Sequence, residues 1–148
     1  MNPIVEIHTD GSFIPSTRSG GWAAIIESDD TPTVTISGKI EDTTNNRMEI
    51  LAVLEALKTL VWPSTVTVYS DSQYVVNSIN TWMYNWKKNG WKTGGKFGPV
   101  TSVKNVDLFK QILELVGKHK VKMVWVKGHA NNEKNNLMDV LSRKEAMK

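Results

Sequence analysis

The chain has 148 residues, of which 40% are hydrophobic and 22% charged, and its formal net charge is +3. This length and composition are typical of a globular protein with one hydrophobic core, so we expect a single domain over residues 1–148. The absence of cysteine excludes disulfides, thiolate metal sites and a cysteine nucleophile. No stretch approaches the roughly 20 apolar residues that cross a bilayer, and no signal-peptide core is found, so we expect a cytoplasmic protein without membrane contact.

Positive charge is concentrated in one part of the sequence. No acidic residue lies between Asp71 and Asp107. The lysines of this interval are Lys87, Lys88, Lys92, Lys96 and Lys104. A local excess of this kind predicts contact between this segment and a polyanion.

The first predicted element is a strand that ends in an acidic residue. Residues 4–12 alternate, with Val5 and Ile7 on one face and Glu6, His8 and Asp10 on the other. Taken alone, Asp10 followed by glycine favours a tight turn.

Two further strands are predicted over residues 22–27 and 33–40. They are separated by short segments rich in glycine, proline and aspartate, which are typical of turns. Three strands with short connections indicate an antiparallel meander.

A helix is predicted over residues 43–60, where threonine and asparagine precede a long apolar run as N-cap residues. Glu49 shares a helix face with Ala52, Val53 and Ala56, so we expect a buried or half-buried carboxylate. A first-turn acid that answers the helix dipole is the alternative interpretation.

A fourth strand over residues 65–70 is followed by Asp71, much as Asp10 ends the first strand, and a short helix over 73–80 comes next. Sites in open α/β sheets lie at strand ends, so the two acids suggest a shared site. A role for Asp71 as the N-cap of the next helix is equally consistent with the pattern.

Residues 82–98 interleave tryptophan with lysine and contain frequent glycine. Trp82 and Trp86 are four residues apart and are compatible with a helix that packs on the core. Lysines beside aromatic rings on a glycine-rich arm favour nucleic-acid binding, with ammonium groups on phosphates and rings on sugars or bases. We interpret residues 82–98 as a basic protrusion.

A helix over residues 106–116, which Gly117 is expected to end, is predicted to be structural. A last strand follows over residues 121–127.

The end of the chain contains a polar loop over residues 128–136 and a final helix from about Leu137. The loop carries His129, and the predicted first turn of the helix carries Asp139. A lone loop histidine and a first-turn acid are common surface features, so neither indicates function by itself.

The order of these motifs resembles type 1 ribonuclease H. The matching stretches are residues 9–12, 44–49, 71–75, 105–108 and 125–130. Five motifs in order over nearly the whole chain are far more specific than any one of them. The resemblance implies a mixed α/β fold, in which helices flank a five-stranded mixed sheet with an antiparallel three-strand meander.

The resemblance also implies endonucleolytic hydrolysis of the RNA strand of RNA·DNA hybrids by two metal ions, which leaves 5′-phosphate and 3′-hydroxyl ends. By position, Asp10, Glu49, Asp71 and Asp139 match the family's metal-binding carboxylates, and His129 matches its catalytic histidine. The implied cofactor is Mg²⁺, as two ions with substrate, with Mn²⁺ as an alternative; hard cations prefer such oxygen ligands. The expected partner is the hybrid, and the expected state is a monomer.

Substrate contacts are implied at two places. The residues that match the minor-groove set are Thr44, Asn45, Asn46 and Gln73. The residues of the basic protrusion that match the DNA-strand contacts are Trp82, Trp86, Lys87, Lys88, Trp91 and Lys92.

The chain departs from the family pattern at several positions. Ser16 replaces a minor-groove asparagine, Asn131 and Asn132 replace the usual Gly-His, and Asn136 replaces a glutamate. The protrusion carries additional glycines, which are Gly94, Gly95 and Gly98.

Two other functions are compatible with parts of the sequence. A noncatalytic hybrid-binding module would keep the groove and the arm, but it has no need of four repelling carboxylates that face a polyanion. An integrase-like enzyme that cuts or joins DNA does not need the tryptophan and lysine arm or the asparagine and glutamine set.

Overall fold

The computed structural model describes residues 2–95, 98–128 and 132–148. The strands are β1 (Ile4–Ile14), β2 (Ser19–Ser28), β3 (Thr31–Ile40), β4 (Thr65–Ser70), β5 (Lys92–Thr93), β6 (Thr101–Ser102) and β7 (Lys120–Trp125). The helices are α1 (Asn45–Lys58), α2 (Gln73–Asn77), α3 (Met83–Lys88), α4 (Val106–Lys118) and α5 (Glu133–Ala146), and a π-helical segment, Ser78–Trp82, joins α2 to α3.

The main sheet has five strands in the order β3-β2-β1-β4-β7. Strand β2 is antiparallel to β1 and β3, whereas β4 is parallel to β1 and β7. The predicted five-stranded mixed sheet with an antiparallel meander is therefore confirmed. Because β1, β4 and β7 run in the same direction, their carboxyl ends meet at one edge of the sheet.

Helices cover both faces of this sheet. Val5 and Ile7 of β1 belong to the hydrophobic core that is shared with α1 and α4. Helix α5 packs on the opposite face, where Met138 and Ala146 are buried. A Cβ atom at Gly21 of β2 would collide with the α5 backbone, so glycine permits this close approach.

Two predicted helix boundaries are wrong. Helix α4 continues through Gly117 to Lys118 and ends where His119 takes extended backbone angles, so no left-handed glycine cap forms. Helix α5 begins at Glu133 rather than near Leu137, because the Asn132 side chain accepts a hydrogen bond from Asn135 N at 3.0 Å as an N-cap.

The basic protrusion contains more helix than its glycines suggest. Helical structure continues from α2 through the π-helical segment to the end of α3. The chain first changes direction at Gly90 and Trp91, which both have positive φ. The short β5–β6 hairpin follows. Lys96 lies outside the described residues.

Among the described residues, no helix combines the length and apolar character that a bilayer span requires.

Candidate active site

Three carboxylates converge at one edge of the sheet. Asp10 comes from β1, Glu49 from α1, and Asp71 directly follows β4. One oxygen of each lies within 4.8 Å of the other two. Asp10 and Glu49 are only 5% and 4% exposed, and Asp71 is half-buried.

Gly11 holds two of these carboxylates together. Its backbone N–H donates to Asp10 Oδ1 at 2.9 Å and also to Glu49 Oε1. A Cβ atom at Gly11 would lie 2.5 Å from Glu49 N, so glycine allows α1 to approach β1 closely. Strand β1 continues to Ile14, so the tight turn that Asp10 and Gly11 favour when taken alone does not form.

The alternative explanations for Glu49 and Asp71 do not hold. Glu49 is the fifth residue of α1, whose N-cap is Thr44, and no acidic residue lies in the first turn. Ser72 rather than Asp71 caps α2, because the Ser72 hydroxyl accepts from Val75 N at 3.2 Å. Glu49 therefore does not interact with the helix dipole as a first-turn acid, and Asp71 is not an N-cap.

Burial raises the pKa of Asp10 to about 7, and the charges of Asp71 and Asp139 act in the same direction. Hydrogen bonds with Glu49 and with Gly11 oppose this shift. Burial, followed by the charge of Asp10, raises the pKa of Glu49 well above its usual range. These carboxylates are therefore costly to ionise together, and a bound cation would relieve that cost.

Asp139 lies at the border of this acidic group. Its carboxylate accepts from Arg143 Nε at 3.1 Å, and its side chain is 23% exposed. Since α5 begins at Glu133, Asp139 lies in the second turn rather than in the first. It lines one small cleft together with Asp10 and Asp71.

His129 lies outside the described residues, so its catalytic role stays a prediction. The residues before it, Lys127 and Gly128, line the cleft of Asp10 and Asp71. The connection that carries His129 therefore starts beside the acidic group.

The predicted minor-groove residues lie at the starts of α1 and α2. Thr44, Asn45, Asn46 and Gln73 are all exposed. Thr44 caps α1, since its hydroxyl accepts from Arg47 N at 3.2 Å.

Arg47 connects these two helix starts to α4, a role that the sequence pattern did not reveal. Its guanidinium donates to both carboxylate oxygens of Asp107, at 3.1 and 2.8 Å, and to Asn105 Oδ1 at 3.2 Å. Asn105 Nδ2 in turn lies 3.5 Å from the Tyr74 hydroxyl of α2. The only sequence signal for this link was the 105–108 motif, to which no role was assigned.

The aromatic residues of the protrusion divide into half-buried and exposed members. Trp86 packs on Phe109 of α4 with ring centroids 5.4 Å apart, and Trp91 is half-buried. Trp82 remains exposed and lines a groove of about 840 Å³ together with Trp86 and Lys92. Lys87 and Lys88 are also exposed.

The fold and the cleft define an α/β protein with a carboxylate site where parallel strands end. The family model of RNase H matches residues 2–147. Ribonuclease H of Rhodopseudomonas palustris (strain BisB5) is 46% identical over 143 residues, which cover 97% of this chain and 91% of that protein. Ribonuclease H of Pseudoalteromonas atlantica is 46% identical over 142 residues, which cover 96% and 90%.

A solved structure is similar over the same range. LC9-RNase H1, described as a type 1 RNase H with the type 2 active-site motif, has a TM-score of 0.85 and 25% identity, covering 99% of this chain and 74% of that one. The chain belongs to the RNase H family and is a nuclease.

Proposed function

We propose that this chain cuts the RNA strand of RNA·DNA hybrids endonucleolytically, with divalent cations held by Asp10, Glu49, Asp71 and Asp139. The convergence of three carboxylates within 4.8 Å carries this proposal. Burial raises the pKa of two of them, Asp10 and Glu49, so their ionised forms are unfavourable without a counter-charge. This is expected of a site that is completed by a cation. Membership of the RNase H family supports the hybrid as substrate.

The donor set fits a hard cation. All the proposed ligands are carboxylate oxygens, which suit Mg²⁺ or, as an alternative, Mn²⁺. Two such ions, when bound, supply an activated water and stabilise the leaving 3′ oxygen, which gives 5′-phosphate and 3′-hydroxyl ends. His129 is proposed to move a proton during this cycle, a role to which an imidazole group is suited.

Hybrid recognition is proposed to use two surfaces. The exposed amides of Asn45, Asn46 and Gln73 are suited to contact base edges and the 2′-hydroxyl, and Thr44 lies beside them. The basic protrusion is proposed to hold the DNA strand, with ammonium groups on phosphates and indole rings on sugars or bases. Its proposed contacts are Trp82, Trp86, Lys87, Lys88, Trp91 and Lys92. We further propose one domain over residues 1–148 that acts as a cytoplasmic monomer.

One cleavage assay tests the function. Labelled RNA·DNA hybrid, double-stranded RNA and double-stranded DNA are each incubated with Mg²⁺ or with EDTA. We expect cleavage of the hybrid's RNA strand only, dependent on the cation and abolished by Asp10→Asn. The matched control is Asp30→Asn, because Asp30 is an exposed acid in the turn between β2 and β3, at the opposite end of the sheet from Asp10.

The other outcomes identify the competing functions. Tight binding of the hybrid without cleavage would identify a noncatalytic binding module. Cleavage of double-stranded DNA would identify an integrase-like enzyme.

A further inference from the structure

A buried histidine lies two residues before Asp10 on the same face of β1. His8 is only 3% exposed, and its ring stacks on Tyr69 of β4 with centroids 4.7 Å apart and planes at 14°. Both ring nitrogens have partners: Nδ1 contacts Asn135 Oδ1, and Nε2 lies 2.8 Å from Glu6 Oε1. A polar ring in the interior is retained only where its hydrogen bonds are satisfied, and here both are.

Asn135 of α5 spans the gap between the two strands that lead to the acidic group. Its Nδ2 donates to Thr9 O at 3.2 Å and to Tyr69 O at 3.3 Å. The paired register of β1 with β4 ends at His8 and Tyr69. Asn135 therefore bridges the strands at the point where they separate and run on to Asp10 and Asp71.

The hydrogen-bonding groups determine how the Asn135 amide is oriented. Carbonyl oxygens only accept, so the Asn135 nitrogen must face Thr9 O and Tyr69 O. Its oxygen is then directed at His8, whose Nδ1 must carry a proton and donate. His8 thus stabilises the amide orientation that bridges the strands.

We propose that His8 is a positioning residue that acts through Asn135 to set the place of Asp139 relative to Asp10 and Asp71. Asp139 follows Asn135 by four residues, so the two lie on one face of α5 and are separated along its axis by about 6 Å, slightly more than one turn. A shift of Asn135 therefore moves Asp139. The proposal rests on the proposed function, in which Asp139 helps to hold a cation.

A second contact secures the same turn of α5. Lys134 Nζ lies 2.5 Å from Glu27 Oε1 of β2, and Glu27 is the cross-strand partner of Glu6. Glu6 is the residue that contacts His8 Nε2. Loss of the His8 contact should therefore shift the helix start without detaching it from the sheet.

The test measures cation binding without substrate. His8→Phe keeps a ring to stack on Tyr69 but removes the donor to Asn135. The readout is the Mg²⁺ concentration that gives half of the full rise in Tm. We expect His8→Phe and Asn135→Ala each to raise this concentration roughly tenfold, as is typical when a residue that orients metal ligands is lost.

Two further variants separate positioning from general packing. His8→Gln retains an amide donor, so we expect it to restore part of the Mg²⁺ response. In the Asn135→Ala background, His8→Phe should cause no further rise, because its effect is transmitted by Asn135. In hybrid cleavage at limiting Mg²⁺, kcat should fall while KM is unchanged, since the proposed hybrid contacts lie on α1, α2 and the protrusion.

The matched control is Asn80→Ala. The Asn80 side chain bonds both Met123 O and Met123 N of β7, at 2.9 and 3.0 Å, and among the described residues no hydrogen bond links it to α5. We expect this variant to lower Tm without changing the Mg²⁺ requirement.

Three results would overturn the proposal: an unchanged Mg²⁺ requirement in His8→Phe, an equal rise in Asn80→Ala, or a full His8→Phe effect that persists without Asn135. If His8→Phe does not fold, Asn135→Ala and His8→Gln carry the same comparison. The titration is independent of cleavage, so a wild-type protein that fails to cut the hybrid refutes the proposed function and not this inference.

Discussion

The backbone N–H of Gly11 donates a hydrogen bond to the Glu49 carboxylate, and this bond joins the strand of Asp10 to the helix of Glu49. A Cβ atom at Gly11 would lie 2.5 Å from Glu49 N and 2.8 Å from Glu49 Oε1. The separation of the two carboxylates therefore depends on the absence of a side chain between them.

Gly11→Ala is expected to force β1 and α1 apart. Overpacking of this kind typically costs about 1–3 kcal/mol, and the displaced Glu49 should also reduce hybrid cleavage. Urea unfolding and initial cleavage rates measure the two effects. Gly117→Ala is the control, since its added Cβ meets nothing within 4 Å, and in a helix this change should stabilise by about 0.5–1 kcal/mol. Normal cleavage by Gly11→Ala would contradict the prediction.

The stability of the cation-free protein should fall as the pH rises towards neutrality. Burial raises the pKa of Asp10 to about 7 in the folded protein, against about 3.9 in an unfolded chain. The folded state therefore binds this proton more tightly, so the stabilisation is complete below about pH 4 and is lost as the pH passes 7. We expect a loss on the order of a few kcal/mol across this window, at roughly 1.4 kcal/mol per pKa unit.

Comparison with Asp10→Asn removes this group together with its effect on the pKa of Glu49. Arg47 lowers the pKa of Asp107, and Lys148 lowers that of Glu145. Both shifts make the folded state more stable as the pH rises, and they do so equally in the wild type and the variant. Urea unfolding in EDTA should show that the variant gains stability relative to the wild type as the pH rises from about 4 to 7. Parallel curves for the two proteins would contradict the shifted pKa.

Arg143→Ala should lower the Mg²⁺ concentration that the protein requires. Arg143 pairs with Asp139 and places a positive charge beside the proposed cation site. Because the pair is partly exposed, the effect should correspond to about 0.5 kcal/mol or roughly twofold. Thermal denaturation at increasing Mg²⁺ measures it. Lys144→Ala removes the same charge from the same helix but leaves the Arg143 bond intact, so an equal shift in this control would exclude a specific role for the pair.

Replacement of Lys87, Lys88 and Lys92 by alanine should raise the KM for the hybrid and spare kcat. With fewer phosphate contacts, the protein releases fewer counterions when it binds the hybrid. The logarithm of KM should therefore depend less steeply on the logarithm of the salt concentration. Cleavage rates at several salt concentrations measure this slope. A triple replacement of Lys58, Lys118 and Lys120, which lie at the opposite end of the sheet from Asp10, is the charge-matched control. The same slope in both triple variants would remove the protrusion from the substrate path.

The sequence was most informative where local chemistry decides the structure. The alternating β-branched residues of β4 predicted its bounds, 65–70, without error. Glu49 was predicted to be buried or half-buried because its neighbours on the helix face are small and apolar, and it is buried. Asp10 and Asp71 were predicted to share a site because each was expected to end a strand. The two carboxylates do meet, although β1 continues past Asp10 to Ile14.

Contacts between distant elements explain what the sequence did not predict. The alternation of residues in β1 predicted which face of the sheet carries His8, but it did not predict that α5 covers that face. The polar run before Leu137 was interpreted as a loop because its helix propensity is weak. An asparagine cap and packing against β1 and β2 outweigh that propensity, so the helix begins at Glu133. The partial burial of Trp86 likewise depends on Phe109, which is supplied by a helix later in the chain.

The end of β1–β4 pairing at His8 and Tyr69 has a mechanical consequence. Beyond that pair, Asp10 remains paired with β2 on one side, opposite Ala23, and no strand of the described residues pairs with it on the other. The opening between Asp10 and Asp71 is therefore a split in the sheet itself, and its width is a property of the backbone. Replacing either carboxylate would change what the split can bind. The distance between the two strands would not change, because the divergence of their backbones determines it.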